Sequence, residues 1–152
     1  GFTEAGISAV VFGLGAFELL ASVTSARRTD TWGKERSTIF GALLILPAGL
    51  LLTVGHNNAI IGLILLGIYL LGFEFSIVSM LPLSANLIPS SPGRGLGIVL
   101  AGGTLGRASM SLIGTAAYDK FGINVPSFIG AVCAAGMIGC IVAYGRTTKN
   151  NA

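Results

Sequence analysis

Charge is what this sequence of 152 residues has least of: only 10% are Asp, Glu, Lys or Arg, against roughly 25% in an average soluble domain. From Ser37 to Phe73 there is none at all, a stretch long enough for two bilayer crossings of roughly 20 residues each. With 53% hydrophobic residues and so few charges to cover them, a soluble enzyme and a disordered tail are both excluded. Cysteine is nearly as rare. Cys133 and Cys140 lie in one apolar run, about two helical turns apart and too distant for a disulfide. That excludes a disulfide-stapled secreted scaffold, and the two read as small packing residues. The sole histidine, His56, sits in a polar turn with no second ligand nearby, so no metal site is expected. No Ser/His/Asp or Cys/His set is present, which removes the basis for an intramembrane hydrolase and for enzyme activity generally.

Other absences narrow the fold. Short alternating strands of the β-barrel kind do not occur. Gly93-Arg94-Gly95-Leu96-Gly97 lacks the preceding strand and following Lys-Ser/Thr of a phosphate loop. It reads as a flexible cytoplasmic turn, and no cofactor is expected. The net charge of +3 does not indicate nucleic acid, because the basic residues sit in short clusters between apolar runs, as membrane topology requires.

What is present is five apolar spans, at approximately 5–26, 38–55, 59–83, 95–118 and 126–144. Each is near the length needed to cross hydrocarbon, and helix is the conformation that satisfies the backbone there. His56-Asn57-Asn58 and Pro89-Ser90-Ser91-Pro92-Gly93 break the runs. Pro126 suits a first helical turn, whereas Pro47 and Pro82 fall inside spans and predict kinks. The fold class is therefore all-α, a polytopic transmembrane bundle whose immediate partner is membrane lipid.

Basic residues orient it. Arg27, Arg28, Lys34, Arg36, Arg94, Arg146 and Lys149 fall on one side, and Lys120 alone on the other. The positive-inside rule then places the first residue outside and the last in the cytoplasm of a cell (inner) membrane. An odd number of spans that begins outside, with no signal peptide and with Gly1 in first place, predicts a preceding helix and a fragment or processed product. Glycine is abundant, 23 residues; Gly102 and Gly106, with Gly13 and Gly15, are placed to let helix backbones approach closely.

The loop Asp30-Thr31-Trp32-Gly33-Lys34-Glu35-Arg36 is the most specific feature. Gly33 permits a tight reversal, Lys34 and Arg36 suit the cytoplasmic surface, and Asp30 can cap a positive helix end. Its spacing resembles the D-x-x-G-R-x-R loop motif of the major facilitator superfamily. Phe73-Glu74-Phe75-Ser76-Ile77-Val78-Ser79 with Pro82-Leu83 resembles the tenth helix of bacterial efflux-type members. Pro92-Gly93-Arg94-Gly95 is similar to the loop that follows, and Gly106-Arg107 with Tyr118-Asp119-Lys120-Phe121-Gly122 to the eleventh helix. The motif departs from the family at Ala26, where glycine is usual, and at Arg28, where an apolar residue is usual.

The resemblance implies that residues 1–152 are helices eight to twelve of a twelve-helix transporter, part of its C-terminal half, whose missing N-terminal helices are required partners. It further implies secondary active efflux of a small-molecule substrate by alternating access, driven by protons or another coupling ion. Asp30, Gly33, Lys34 and Arg36 would belong to a cytoplasmic gate. A polytopic subunit that scaffolds a partner without transporting is the alternative.

Three charges remain inside spans, where each is costly. Glu18 shares a helical face with Gly15, Ser22 and Ser25, and Arg107 with Gly103, Thr104, Ser111, Gly114 and Tyr118. Glu74 has a mostly apolar face, beside a more polar stripe of Tyr69, Gly72, Ser76 and Ser79. Two readings stand open. Glu74, with Arg107 and Glu18, lines a proton or substrate pathway, with Tyr69, Ser76 and Ser79 contacting substrate. Otherwise Glu74 and Arg107 form an internal ion pair that holds the bundle together.

Overall fold

A backbone surrounded by apolar side chains and lipid must satisfy its hydrogen bonds within each segment, and all five apolar runs do so as helices. The computed structural model describes residues 3–150, and side chains as far as residue 147. Its elements are α1 (Glu4–Trp32), α2 (Lys34–Gly55), α3 (Ala59–Ala85), α4 (Pro92–Phe121) and α5 (Asn124–Asn150), with no strand among the described residues. All five are long and apolar enough to cross a membrane, as a multi-pass membrane protein requires.

The helix ends have local causes. Thr3 Oγ1 accepts from the Gly6 N–H at 3.2 Å. Asn58 Oδ1 accepts from the Ile60 and Ile61 N–H groups at 3.0 and 3.2 Å, so the polar turn after α2 also caps α3. Gly122, at φ 66°, ends α4 with its N–H on the Tyr118 carbonyl. Pro47 and Pro82 lie within α2 and α3, and Pro126 falls in the first turn of α5.

Two expected loops turn out helical. The basic segment after the first span is helix up to Trp32 and again from Lys34, with only Gly33 between them at φ 92°, ψ 137°. Arg, Thr, Asp, Lys and Glu all tolerate helix once outside hydrocarbon, whereas the positive φ of the break needs glycine. Asp30 does not cap α2: its N-cap is Gly33, without a side-chain hydrogen bond. Gly93–Gly97 is likewise no flexible turn but the opening of α4, which Pro92 starts at the first helical position.

Packing centres on α2. Gly41 of α2 and Gly72 of α3 bring the two backbones together. A Cβ on Gly72 would lie 2.6 Å from the Gly41 carbonyl, and one on Gly41 would overlap the Ser76 hydroxyl. Gly49 does the same against Ser127 and Ala131 of α5. Ala42, Ile45, Ala48 and Leu52 fill the space between, all buried. These are the small-residue contacts expected of membrane helices, but at other glycines than the sequence suggested. Gly13, Gly15, Gly102 and Gly106 have nothing within 4 Å of a Cβ position: Gly13 opens onto a groove between α1 and α3, Gly15 is exposed, and α4 leans away from the core. Gly95, packed against the Ser84 carbonyl of α3, is the one buried residue of α4. Cys133 and Cys140 are exposed and do not serve as packing residues.

Helices α1 and α3 run parallel, since Leu14 meets Gly67, Ser22 meets Glu74 and Thr29 meets Ser79 in the same order. Thr29 against Ser79, Glu35 beside Gly145 and Ser84 against Gly95 all mark one end of the bundle. That end therefore collects Arg27, Arg28, Lys34, Arg36, Arg94 and Arg146, with Lys120 at the other. The side chain of Lys149 lies outside the described residues.

Candidate functional site

Because α4 touches the core mainly at its start, a cavity of about 490 Å³ opens between α3, α4 and α5. This is within the range of small-molecule sites, roughly 300–1,000 Å³. Among the described residues its wall is apolar apart from Tyr69, Ser76 and Arg107, and Arg107 is the only charged one. Arg107 stands fifteen residues after Pro92 and fourteen before Phe121, about 21–22 Å from either end of α4. Among the described residues it makes neither ion pair nor hydrogen bond. Tyr69 reaches in from α3 with its hydroxyl against Gly130 of α5, a position where any Cβ would collide with the ring.

Sulfur is concentrated here. Met80, Met110 and Met137 come from three different helices, and they are all the methionines the chain has. Cys133 joins them in the wall. Thioethers are flexible and polarisable, and they accommodate irregular and aromatic shapes. No spacing in the sequence relates these residues; only the packing of α3, α4 and α5 does.

A second polar feature runs along the α1–α3 contact. Ser22 Oγ donates to Glu74 Oε2 at 3.0 Å. Ser25 Oγ donates to the Phe75 carbonyl at 3.1 Å and lies 2.8 Å from Ser79 Oγ. Thr29 Oγ1 is 2.9 Å from Ser79 Oγ and donates to the Ser25 carbonyl. Ser25 and Ser79 are fully buried, and Thr29 almost so. Hydroxyls that satisfy one another between helices act as glue in an apolar medium. The recurrence of Ser22, Ser25 and Thr29 at helical spacing was the available signal for this contact.

Compared with family models, with curated proteins and with solved structures, the chain matches none. Its chemistry therefore rests on placement alone.

The sequence-derived candidates fall into three separate places. Arg107, Tyr69 and one side of Ser76 face the cavity, although Ser76 is nearly buried and its hydroxyl donates to the Thr38 carbonyl at 3.2 Å. Glu74 and Ser79 belong to the α1–α3 contact, and Glu18 lies half-buried on α1 one turn before Ser22. No ion pair joins Glu74 to Arg107 among the described residues, because α3 turns Glu74 toward α1 and away from α4. Asp30, Gly33, Lys34 and Arg36 surround the α1–α2 joint, with Asp30 and Arg36 exposed.

That joint also holds an aromatic cluster the sequence reading did not assemble. Trp32 packs edge-on to Phe40, with centroids 5.8 Å apart, and lies 6.2 Å from Phe75. Phe40 and Phe75 meet edge-on at 5.4 Å, and the Arg28 guanidinium lies 5.8 Å over the Trp32 ring. The cluster ties the end of α1 and the start of α2 to the middle of α3.

An apolar groove of about 410 Å³ between the N-terminal halves of α1 and α3 has no charged or hydroxyl-bearing lining. It offers shape without recognition chemistry.

Proposed function

We propose that this chain is part of the C-terminal half of a secondary active exporter of the major facilitator type, working by alternating access. The observation that carries the reading is a small-molecule-sized cavity whose single charge, Arg107, sits at mid-helix depth. A charge held there is costly, and in membrane proteins it marks substrate and ion pathways. The five membrane-length helices and the loop-motif residues at the α1–α2 joint support the same reading.

In this mechanism Arg107 and Tyr69 contact the substrate, with Ser76 in the wall beside them. Glu74, partnered by Ser22 and one turn from Glu18 on the facing helix, carries the coupling proton, and protonation changes its bond to α1. Asp30, Gly33, Lys34 and Arg36 form the cytoplasmic gate at the end rich in basic residues, which faces the cytoplasm by the positive-inside rule. Ser79 is assigned to the α1–α3 contact and not to substrate, since it is fully buried between Ser25 and Thr29.

The test is flux in proteoliposomes of the full-length protein under an imposed pH gradient. Uptake or release that follows the gradient supports export, and no gradient-driven flux of any candidate solute removes it. The open small-residue positions of α4, Gly97 and Gly102 among them, favour a second reading as a scaffolding subunit. The coding sequence upstream of Gly1 separates the two: seven further spans with a first copy of the loop motif support the exporter.

A further inference from the structure

We propose that the cavity between α3, α4 and α5 binds an amphipathic organic anion, one acidic group on an aromatic body; as a statement about substrate this rests on the export reading above. Charge complementarity is the first argument. Among the described residues Arg107 is the only charge in the wall, and none of their acidic groups is placed to neutralise it. On α3 the one carboxylate, Glu74, is engaged by Ser22 on the opposite flank. Helix α5 has no charged residue before Arg146, and α2 none after Arg36. On α4 itself the only acid is Asp119, near the far end. Arg107 is exposed on the open side of the cavity, and at mid-helix depth in hydrocarbon an unpaired cation is relieved by an anion that comes with the ligand.

Depth decides which anion. Phospholipid headgroups sit about 15 Å from the bilayer midplane, whereas Arg107 lies midway along α4, a helix longer than the hydrocarbon is thick. A headgroup does not reach it, but a solute lodged between the helices does. The wall then selects the body of the ligand. Tyr69 and Phe73 bring aromatic rings to the wall, while Met80, Met110 and Met137 bring sulfur, which packs favourably at aromatic edges.

The test uses the full chain carrying Cys140→Ser, in phosphatidylcholine nanodiscs, and follows alkylation of Cys133 in the cavity wall by N-ethylmaleimide. Two probes share one aromatic body: anilinonaphthalene sulfonate, an anion, and N-phenyl-1-naphthylamine, its neutral counterpart. The anion should protect Cys133 at a membrane-bound concentration about tenfold or more below that of the neutral probe, as expected for one charge-assisted hydrogen bond. Arg107→Gln should abolish the difference, and Arg107→Lys should restore part of it, which a merely structural role would not do.

Equal protection by both probes overturns the inference, as does selectivity that survives Arg107→Gln. Protection by added phosphatidylglycerol in place of the probe identifies a lipid occupant and also overturns it. A Cys133 that never reacts shows a cavity closed to solutes, with the same consequence. Flux separates this from the export reading. Anion-selective protection without flux upholds the site and removes transport. Gradient-driven flux of neutral or cationic solutes that is indifferent to Arg107→Gln upholds transport and removes the anion.

Discussion

Ser22 Oγ donates a hydrogen bond to Glu74 Oε2 at 3.0 Å, which turns the only carboxylate of α3 toward α1 while Arg107 faces the cavity on the opposite flank. The two intramembrane charges that a sequence invites one to pair are therefore held apart by the body of α3. In an exporter this separation lets a proton and an anionic substrate occupy different sites, coupled through the helix between them.

On the proposed export reading, Glu74→Gln should uncouple transport from the proton gradient while leaving the protein folded. Glutamine keeps a group that accepts from Ser22 and removes the titrating proton. The expected outcome in proteoliposomes is loss of gradient-driven flux with substrate exchange retained. Wild-type coupling in this variant would remove Glu74 from the mechanism. Ser22→Ala tests the other side of the bond and should cost about 0.5–1.5 kcal/mol of stability, as for a single interhelical hydrogen bond.

The glycines divide into those that carry the fold and those that do not. Gly72→Ala would drive a methyl into the Gly41 carbonyl at 2.6 Å and the Leu44 Cβ at 2.8 Å. A loss of about 1–3 kcal/mol is expected, the usual cost of overpacking. Gly102→Ala meets nothing within 4 Å and should be neutral or stabilising by up to about 1 kcal/mol, through helix propensity. Thermal unfolding of the two variants in one detergent compares them directly. A Gly72→Ala protein as stable as Gly102→Ala would mean that α2 and α3 do not meet at these residues.

The helices were legible in the sequence because hydrocarbon imposes a simple rule, a run of apolar residues long enough to cross. The joint between α1 and α2 was not. Arg27, Arg28, Thr31 and Glu35 look like loop residues by composition, yet they are compatible with helix wherever water solvates them. The close contacts were half legible: abundant glycine announces tight packing, but whether Gly41 or Gly102 makes it depends on which face each helix presents. The cavity was the least legible feature. Arg107 and Tyr69 stood out as polar residues in apolar runs, whereas Met80, Met110 and Met137 lie on separate helices with no relation until α3, α4 and α5 pack. Glu74 stood out for the same reason as Arg107, whereas Ser22 was read only as a neighbour of Glu18 on α1, because its pairing with Glu74 depends on how α1 packs against α3.

Gly33 is the single break in an otherwise continuous helical path from Glu4 to Gly55, and its φ of 92° is one that residues with a Cβ rarely adopt. Gly33→Ala should cost about 1–3 kcal/mol through backbone strain alone, since nothing lies within 4 Å of the added methyl. Gly93→Ala, on helical backbone and equally open, is the matched control and should not destabilise. If the gate assignment is right, Gly33→Ala also slows flux by more than its stability loss predicts, while Gly93→Ala transports normally. Equal stability of the two variants would contradict the positive φ at Gly33.

Trp32 is the only tryptophan in the chain, so its fluorescence reports the α1–α2 joint without labelling. Its ring packs against both Phe40 and Phe75, beneath the Arg28 guanidinium, and remains 43% exposed. Phe75→Leu removes the ring that links the joint to α3, together with edge-on packing worth about 0.5–1.5 kcal/mol per aromatic pair. The emission should shift to the red and become more accessible to an aqueous quencher. Phe73→Leu, two residues away but facing the cavity, should leave the emission unchanged. A matched shift in both variants would indicate a general loosening of α3 and would count against the aromatic cluster as the clamp. A Phe75-specific shift that substrate binding reverses would connect the cavity to the α1–α2 joint, as the proposed alternating access requires.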